Sequence, residues 1–440
     1  MFQTLINAFK NPDVRKKIFI TLGLLLIYRL GCWLPIPGIN PSVYDVVNPE
    51  GSAANTLLSL LSAITGGALA QGAILAIGVS PYINASIIIQ LLTVAIPKLE
   101  EWSKQGEEGR KKINRVTRVT TLILAIAQAA GIVVSWVNGD GISADIFGAN
   151  TKLWAVAMMV AVILIGGSMF TMWLGERITE VGVGNGISLL IFVGILSSAG
   201  TGLIAVIGQI PGSATNEPIF QLIAFLLLVV IIFTFIVFID LAERRVPIQY
   251  AKQIKGRKQY GGQNTHIPIK VNASGVLPII FANAIITFPQ LLFSLFLNTD
   301  NAFYAWWMKW MGVGTPVYSV AVGILILLFS FFYAQIQFNP EEVARNIQQY
   351  GGFIPGIRPG KPTSEYLSRI SKRLTFFGAV FLAFIAIVPA IIFNFVFSGQ
   401  ASLVNAFSAT GMLIVVSVAL EFDKQLQSQL MMKQYKGFLK

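Results

Sequence analysis

Long apolar runs, separated by short polar and basic stretches, set the pattern of this chain from end to end. A membrane-crossing helix needs about 20 largely apolar residues with charges kept to its ends. Ten segments meet that description: 18–36, 72–96, 119–137, 153–174, 184–207, 219–240, 275–297, 317–337, 374–397 and 403–422. The second and fifth are rich in Gly and polar residues, the seventh holds Pro278 and Pro289, and the ninth holds Pro389. Proline is tolerated in such helices where neighbours re-satisfy the freed carbonyl. The run TLLSLLSAIT (56–65), followed by Gly66-Gly67, is too short to span. It reads equally as a re-entrant helix buried in protein and as a helix lying on the membrane surface. The start, MFQTLINAFKNPDVRKK, reads as a short cytoplasmic helix or tail, since no A-x-A site follows the first apolar run.

Composition supports a membrane protein. Of 440 residues, 55% are hydrophobic and 12% charged, against about 25% charged in a soluble domain. One globular core cannot hide that much apolar surface, and the same figures exclude a disordered chain, a coiled coil and a disulfide scaffold. The net charge of +12 is unevenly placed. With ten spans, 29 of the 32 Lys and Arg fall on the side that holds both termini, Lys152 and Lys309 fall on the other, and Arg29 lies inside the first span. The positive-inside rule makes the first side cytoplasmic. The Gly/Pro/Ser-rich stretch GQIPGSATNEP (208–218) joins five spans to five, so the halves 1–207 and 219–440 run in opposite orientations, the arithmetic of an inverted repeat.

Candidate chemistry is sparse. Cys32 and His266 are each the sole residue of their type, so a disulfide, a Cys-based zinc site and a catalytic triad lack their parts. No G-x-x-x-x-G-K-[ST] loop is present, and neither an enzymatic activity nor a cofactor is expected. All 20 Asp and Glu fall in loops, tails or at span edges, which argues against ion-coupled pumping. Arg29 reads first as a structural residue that snorkels or faces the bundle, and second as a substrate contact. Asn84, Gln90, Thr93, Gln128 and Asn283 lie inside apolar runs and need partners across helix interfaces or in a wet cavity. The same-face pairs Val79/Ile83 and Ile187/Ile191 read, by spacing alone, as lipid-facing or packing residues. Two long basic stretches, 240–270 and 338–373, carry enough Gly and Pro punctuation to suggest two rigid projections able to bind anionic lipid, RNA or an acidic protein surface.

Six motifs carry a resemblance: YRLGCWLPIPGIN (28–40), GVSPYINASIIIQLLT (78–93), MWLGERITEVGVGNGIS (172–188), AERRVPIQYAK (242–252), THIPIKVNASGVLPIIFA (265–282) and NPEEVARNIQQYGGFIPGIRPGKPTSEYL (339–367). In order and spacing they resemble the bacterial SecY family of protein-translocation channels over nearly the whole chain.

The resemblance implies an all-α integral membrane protein of ten transmembrane helices in two inverted pseudo-symmetric halves, hinged like a clamshell between spans 5 and 6. Unfolded polypeptides pass between the halves, and hydrophobic segments leave sideways into lipid through a gate between spans 2–3 and 7–8. Carried over residue by residue, the family's apolar pore ring falls on Val79, Ile83, Ile187, Ile191, Ile280 and Ile414. Val79 stands where bacterial members commonly have isoleucine, which widens the ring slightly. Such a ring fits an extended chain without specific bonds and resists ion leak by dewetting. Thr93, Gln128 and Asn283 fall on gate helices as a polar cluster, and the plug falls on 56–67 with Leu57, Leu58, Leu60, Leu61 and Ile64. Arg244, Arg245, Lys252 and Arg358 match positions that engage the SecA ATPase or the ribosome, Arg358 foremost. The remaining implied partners are the SecE and SecG membrane subunits, signal peptides, unfolded preproteins and the lipid bilayer. The implied location is the bacterial cytoplasmic membrane, multi-pass, with both termini cytoplasmic. From sequence physics alone the competing reading is a secondary transporter with broken helices.

Overall fold

The computed structural model describes residues 2–40, 43, 61–62, 64–143, 152–209, 217–250, 253–255, 258–260, 264–272, 274–296, 301–312, 315–396 and 409–437. Helices dominate them: α1 (Phe2–Lys10), α2 (Pro12–Gly31), α3 (Ser80–Ala95), α4 (Pro97–Lys104), α5 (Glu107–Asn138), α6 (Leu153–Val181), α7 (Gly186–Gln209) and α8 (Glu217–Asp240). The later ones are α9 (Leu277–Phe296), α10 (Ala302–Met311), α11 (Pro316–Gln337), α12 (Pro340–Gln349), α13 (Lys361–Val396) and α14 (Ala409–Gly437). Among the described residues α5, α6, α7, α8, α11 and α13 contain stretches long and apolar enough to cross a membrane. The pair α3–α4, bent by 101°, adds a broken candidate. In α2 and α14, charged residues sit within the helix, so their apolar stretches are shorter.

The second expected span, 72–96, is a helix only from Ser80. Residues 65–78 run as consecutive turns, with positive φ at Gly66, Gly67, Gly72 and Gly78. Backbone that leaves helical form at membrane depth must find other partners, and here it does. Ile36 N–H donates to the Gly72 carbonyl and Ile74 N–H to the Leu34 carbonyl, both at 2.9 Å. The first expected span is corrected likewise: its helix stops at Gly31, and residues after Cys32 turn to pair with this glycine-rich segment, Pro35 bridging to Ala73.

Two compact units emerge from the described chain. The first comprises Met1–Leu222, Ala284–Tyr318 and Phe393–Lys440. Its main core sets Trp136 of α5 against Val156, Val160 and Leu164 of α6, with Ile36, Leu69 and Ile77 from the turn segments. A bidentate pair, Arg118 to Glu176 at 3.0 and 2.7 Å, joins α5 to α6. A smaller core gathers Ala8, Val14, Ile18, Val183 and Leu426, tying α1 and α2 to α14.

The second unit comprises Ile223–Asn283 and Ser319–Ile392. It contains the strands β1 (Glu243–Tyr250), β2 (Gln253–Lys255), β3 (Lys258–Tyr260), β4 (Asn264–Lys270) and β5 (Gly352–Phe353). β1 pairs antiparallel with β4, Val246 opposite Ile267, and on its other edge with β5, Gln249 opposite Phe353. Along β1 burial alternates: Val246 and Ile248 face inward while Arg245 and Pro247 are exposed, the period-2 signature of a half-buried strand. The stretches 240–270 and 338–373 therefore share the sheet β4–β1–β5 over one core, with Val246, Ile248, Ile269, Ile347, Ile354 and Leu367 inside, while β2 and β3 pair as a separate two-stranded sheet. The two separate projections expected from the sequence are a single body.

Candidate functional site

The turn segment follows the helical residues 61–62 and 64, inside the stretch 56–67 where the resemblance implies a plug. Thr65 N–H donates to the Leu61 carbonyl at 3.1 Å and Gly67 N–H to the Ser62 carbonyl at 2.8 Å. That closure uses the left-handed backbone of Gly66, φ +74, a conformation glycine adopts without penalty. Arg29 of α2 reaches across and donates from Nη1 to the Gly66 carbonyl at 3.1 Å. From the other side Gly194 of α7 packs so closely that a Cβ there would strike the Ile64 carbonyl. Leu61 and Ile64 are half-buried at this seat; Leu57, Leu58 and Leu60 lie outside the described residues. Arg29 thus holds a backbone carbonyl, in line with the structural reading of its sequence position.

The six aliphatic positions share a placement: each lies at the residue before its helix or within the first two turns of it. Val79 is the residue before α3 and Ile83 the fourth residue in it, with Ile83 N–H bonded to the Val79 carbonyl at 3.1 Å. Ile187 and Ile191 open α7, Ile280 is fourth in α9 and Ile414 sixth in α14. The α7 start is built by the NGIS sequence itself. Asn185 Oδ1 accepts from the N–H groups of Ile187 and Ser188 at 3.1 and 3.4 Å, which is N-capping. Thr179 Oγ1 accepts from Gly186 N–H at 2.9 Å. At that point α6 and α7 approach so closely that a Cβ on Gly186 would strike the Gly175 carbonyl. Val79, Ile191 and Ile414 are buried, while Ile83, Ile187 and Ile280 are partly exposed.

The three polar positions differ from one another. Thr93 spends its hydroxyl within α3, donating to the Ile89 carbonyl at 2.7 Å. Gln128 is 5% exposed on α5, and its Nε2 has no hydrogen-bond partner among the described residues. Asn283 is half-buried on α9. Thr93 and Gln128 fall in the first unit and Asn283 in the second.

On the β4–β1–β5 sheet, Arg244 and Arg245 are exposed on β1, Arg245 Nε donating to Glu243 Oε1 at 2.8 Å. Arg358 is exposed on the turn between β5 and α13. Its carbonyl accepts the Thr363 hydroxyl at 2.8 Å, and Ile357 N–H bonds the Ile354 carbonyl at 3.0 Å beneath it. The side chain is presented on a turn whose backbone is fixed from below. Lys252 lies outside the described residues. Among the described residues no three His, Cys, Asp or Glu side chains group to hold a metal ion. The sequence reading missed Gly194, because close backbone approach leaves no mark in hydropathy.

Comparison with known proteins follows the same outline. The SecY family model matches residues 73–422. The protein translocase subunit SecY of Halalkalibacterium halodurans is 41% identical over 445 residues, covering 100% of each chain. That of Mycobacterium tuberculosis is 41% identical over 452 residues with the same coverage, and that of Corynebacterium glutamicum 40% identical with 99% of each covered. Among solved structures, a protein-conducting channel superposes with TM-score 0.65 at 19% identity, covering 94% of this chain and 91% of that one. Sec61 in a canine ribosome–channel complex gives 0.60 at 18% identity, with the same coverage.

Proposed function

Because this chain belongs to the SecY family, whose members are channel subunits of protein translocases, we propose how its own residues conduct a polypeptide. An unfolded preprotein passes through a ring of Val79, Ile83, Ile187, Ile191, Ile280 and Ile414. Bulky aliphatic side chains seal around an extended chain by van der Waals contact, and when nothing is threaded the apolar constriction dewets and blocks ions. Residues 56–67 form the plug, seated at its C-terminal end by Arg29 and Gly194. Signal peptides and other hydrophobic segments leave laterally into the bilayer past Thr93, Gln128 and Asn283. The halves 1–207 and 219–440 open about the 208–218 loop, with ten spans in all.

The chain is a channel and not an enzyme, so the work comes from outside. The proposed partners are the SecA ATPase or a translating ribosome, docking on Arg244, Arg245, Lys252 and Arg358, with SecE and SecG completing the membrane complex. Docking on ribosomal RNA through these cations would weaken with salt. The proposed setting is the bacterial cytoplasmic membrane with both termini inside, which puts the basic sheet in the compartment of the motor.

Identity of about 40% sustained over the full length of the bacterial translocase subunits carries this reading. The test is reconstitution of the chain with SecE in proteoliposomes, followed by addition of SecA, ATP and a radiolabelled preprotein. Protease-protected preprotein that depends on the reconstituted chain, on SecA and on ATP is the expected result. Protection equal to that of empty vesicles overturns the reading.

A further inference from the structure

The helix α10 has no part in the proposed ring, the proposed plug or the β4–β1–β5 sheet, yet half of its ten residues are aromatic. Phe303, Trp306, Trp307 and Trp310 recur at i, i+3, i+4 and i+7, one face of a helix. Half of that face is used inside the protein. Phe293 of α9 meets Phe303 at 5.4 Å and Trp307 at 5.2 Å between ring centroids, both edge-on. The other half is open: Trp306 is 54% exposed and Trp310 46%, with Phe303 stacked on Trp306 at 6.1 Å. Lys309 flanks the same arc and is exposed.

The position of this helix narrows what can cover it. Five residues separate the end of α9 from α10, and four separate α10 from the start of α11. Both neighbours are apolar, and α11 is long enough to cross a membrane. Its end is also pinned: the Thr315 hydroxyl donates to the Trp310 carbonyl at 2.7 Å, and Thr315 Oγ1 accepts from Tyr318 N–H at 3.2 Å. Held by Phe293 at one side and Thr315 at its end, α10 cannot leave the level at which α9 finishes and α11 starts. In a chain that crosses a bilayer, that level is the water–lipid interface. Tryptophan, with an apolar body and one N–H donor, concentrates there, and a flanking lysine suits the phosphate layer.

We propose that α10 is an interfacial anchor whose Trp306 and Trp310 insert among the lipid headgroups and glycerol esters, fixing the depth of the α9 and α11 ends between which it is clamped. The occupant of the open aromatic face is lipid. The proposal rests on the reading of the chain as a membrane channel, and its test separates the two. Full-length Cys32→Ser protein is given single cysteines by Trp306→Cys, Trp310→Cys, Arg244→Cys (exposed on the sheet) and Val162→Cys (exposed on α6), spin-labelled, and reconstituted in phosphatidylethanolamine–phosphatidylglycerol vesicles. Power-saturation EPR then compares relaxation by oxygen and by a water-soluble nickel chelate.

Labels at 306 and 310 are expected to show an oxygen-to-nickel ratio several-fold above that at 244 and below that at 162. A ratio at 306 and 310 equal to that at 244, with 162 still oxygen-rich, overturns the anchor and leaves the channel reading standing. A water-like label at 162 removes both. Labels at 306 and 310 that neither reagent reaches show the face covered by another polypeptide, which also overturns the proposal.

Discussion

Arg29 and Gly66 hold each other in place: the guanidinium donates to the glycine carbonyl at 3.1 Å, and a Cβ on Gly66 would collide with the same nitrogen. The cation read inside the first span is thereby committed to the backbone turn at Gly66, which lies in the stretch proposed as the plug. A charge at that depth is costly, and a backbone carbonyl is one of the partners that lowers the cost.

Gly66→Ala is expected to lower stability by about 1–3 kcal/mol, because it combines a left-handed backbone with a collision against Arg29 and the Gly194 backbone. Gly67→Ala is the comparison. It has φ +86 but open space around its Cβ, so it should cost about 1–2 kcal/mol. Thermal unfolding in detergent, followed by tryptophan fluorescence, should rank Gly66→Ala below Gly67→Ala, and Arg29→Gln should remove most of the difference.

Enlarging the proposed ring by Ile83→Gly together with Ile191→Gly should raise the ion conductance of proteoliposomes without added preprotein. The measured quantity is the single-channel or macroscopic current at fixed voltage. An unchanged current would remove these two side chains from the barrier.

Gln128→Leu should be neutral or stabilising by about 1 kcal/mol, since it replaces a buried amide whose Nε2 lacks a partner among the described residues with an apolar group of similar size. If the position also serves a lateral gate, the variant should demand a more hydrophobic signal peptide for half-maximal translocation. The thermal midpoint reads the first effect and a signal-peptide series the second.

Arg358→Glu should abolish binding of SecA to the reconstituted channel while leaving the melting of the sheet unchanged, because the side chain is exposed. Leu367→Ala should do the reverse in order of cause. It empties a fully buried position under the sheet, costs about 2–5 kcal/mol, and weakens docking only through loss of the turn. Binding by surface plasmon resonance, set beside limited proteolysis of the sheet, distinguishes the two.

Hydropathy located the membrane helices well where span and helix coincide, as in α5, α6, α8 and α11. It failed at 72–79 because a window of apolarity cannot see backbone conformation. Ala73, Ile74, Leu75 and Ile77 are as apolar as any helix, and Gly72 and Gly78 supply the positive φ that breaks it. The β1–β4 pairing was hidden differently. Val246/Ile248 and Ile267/Ile269 do alternate, but Pro247, Pro268 and the surrounding cations read as loop punctuation. Both prolines lie on the edge or in register positions that tolerate them, opposite Arg245 and His266. Arg29 stands out in the sequence as an anomaly of charge, yet its partner lies 37 residues on, beyond any local pattern.

The sheet β4–β1–β5 has a mechanical consequence. β1 follows α8 directly, β4 leads into α9, and β5 lies between α12, which continues α11, and α13. A ladder of hydrogen bonds shared by those strands makes the ends of α8, α9, α11 and α13 one lever arm. A force applied at the Arg358 turn would therefore be shared among four helix ends at once, as torque on that whole unit and not as a pull on one loop.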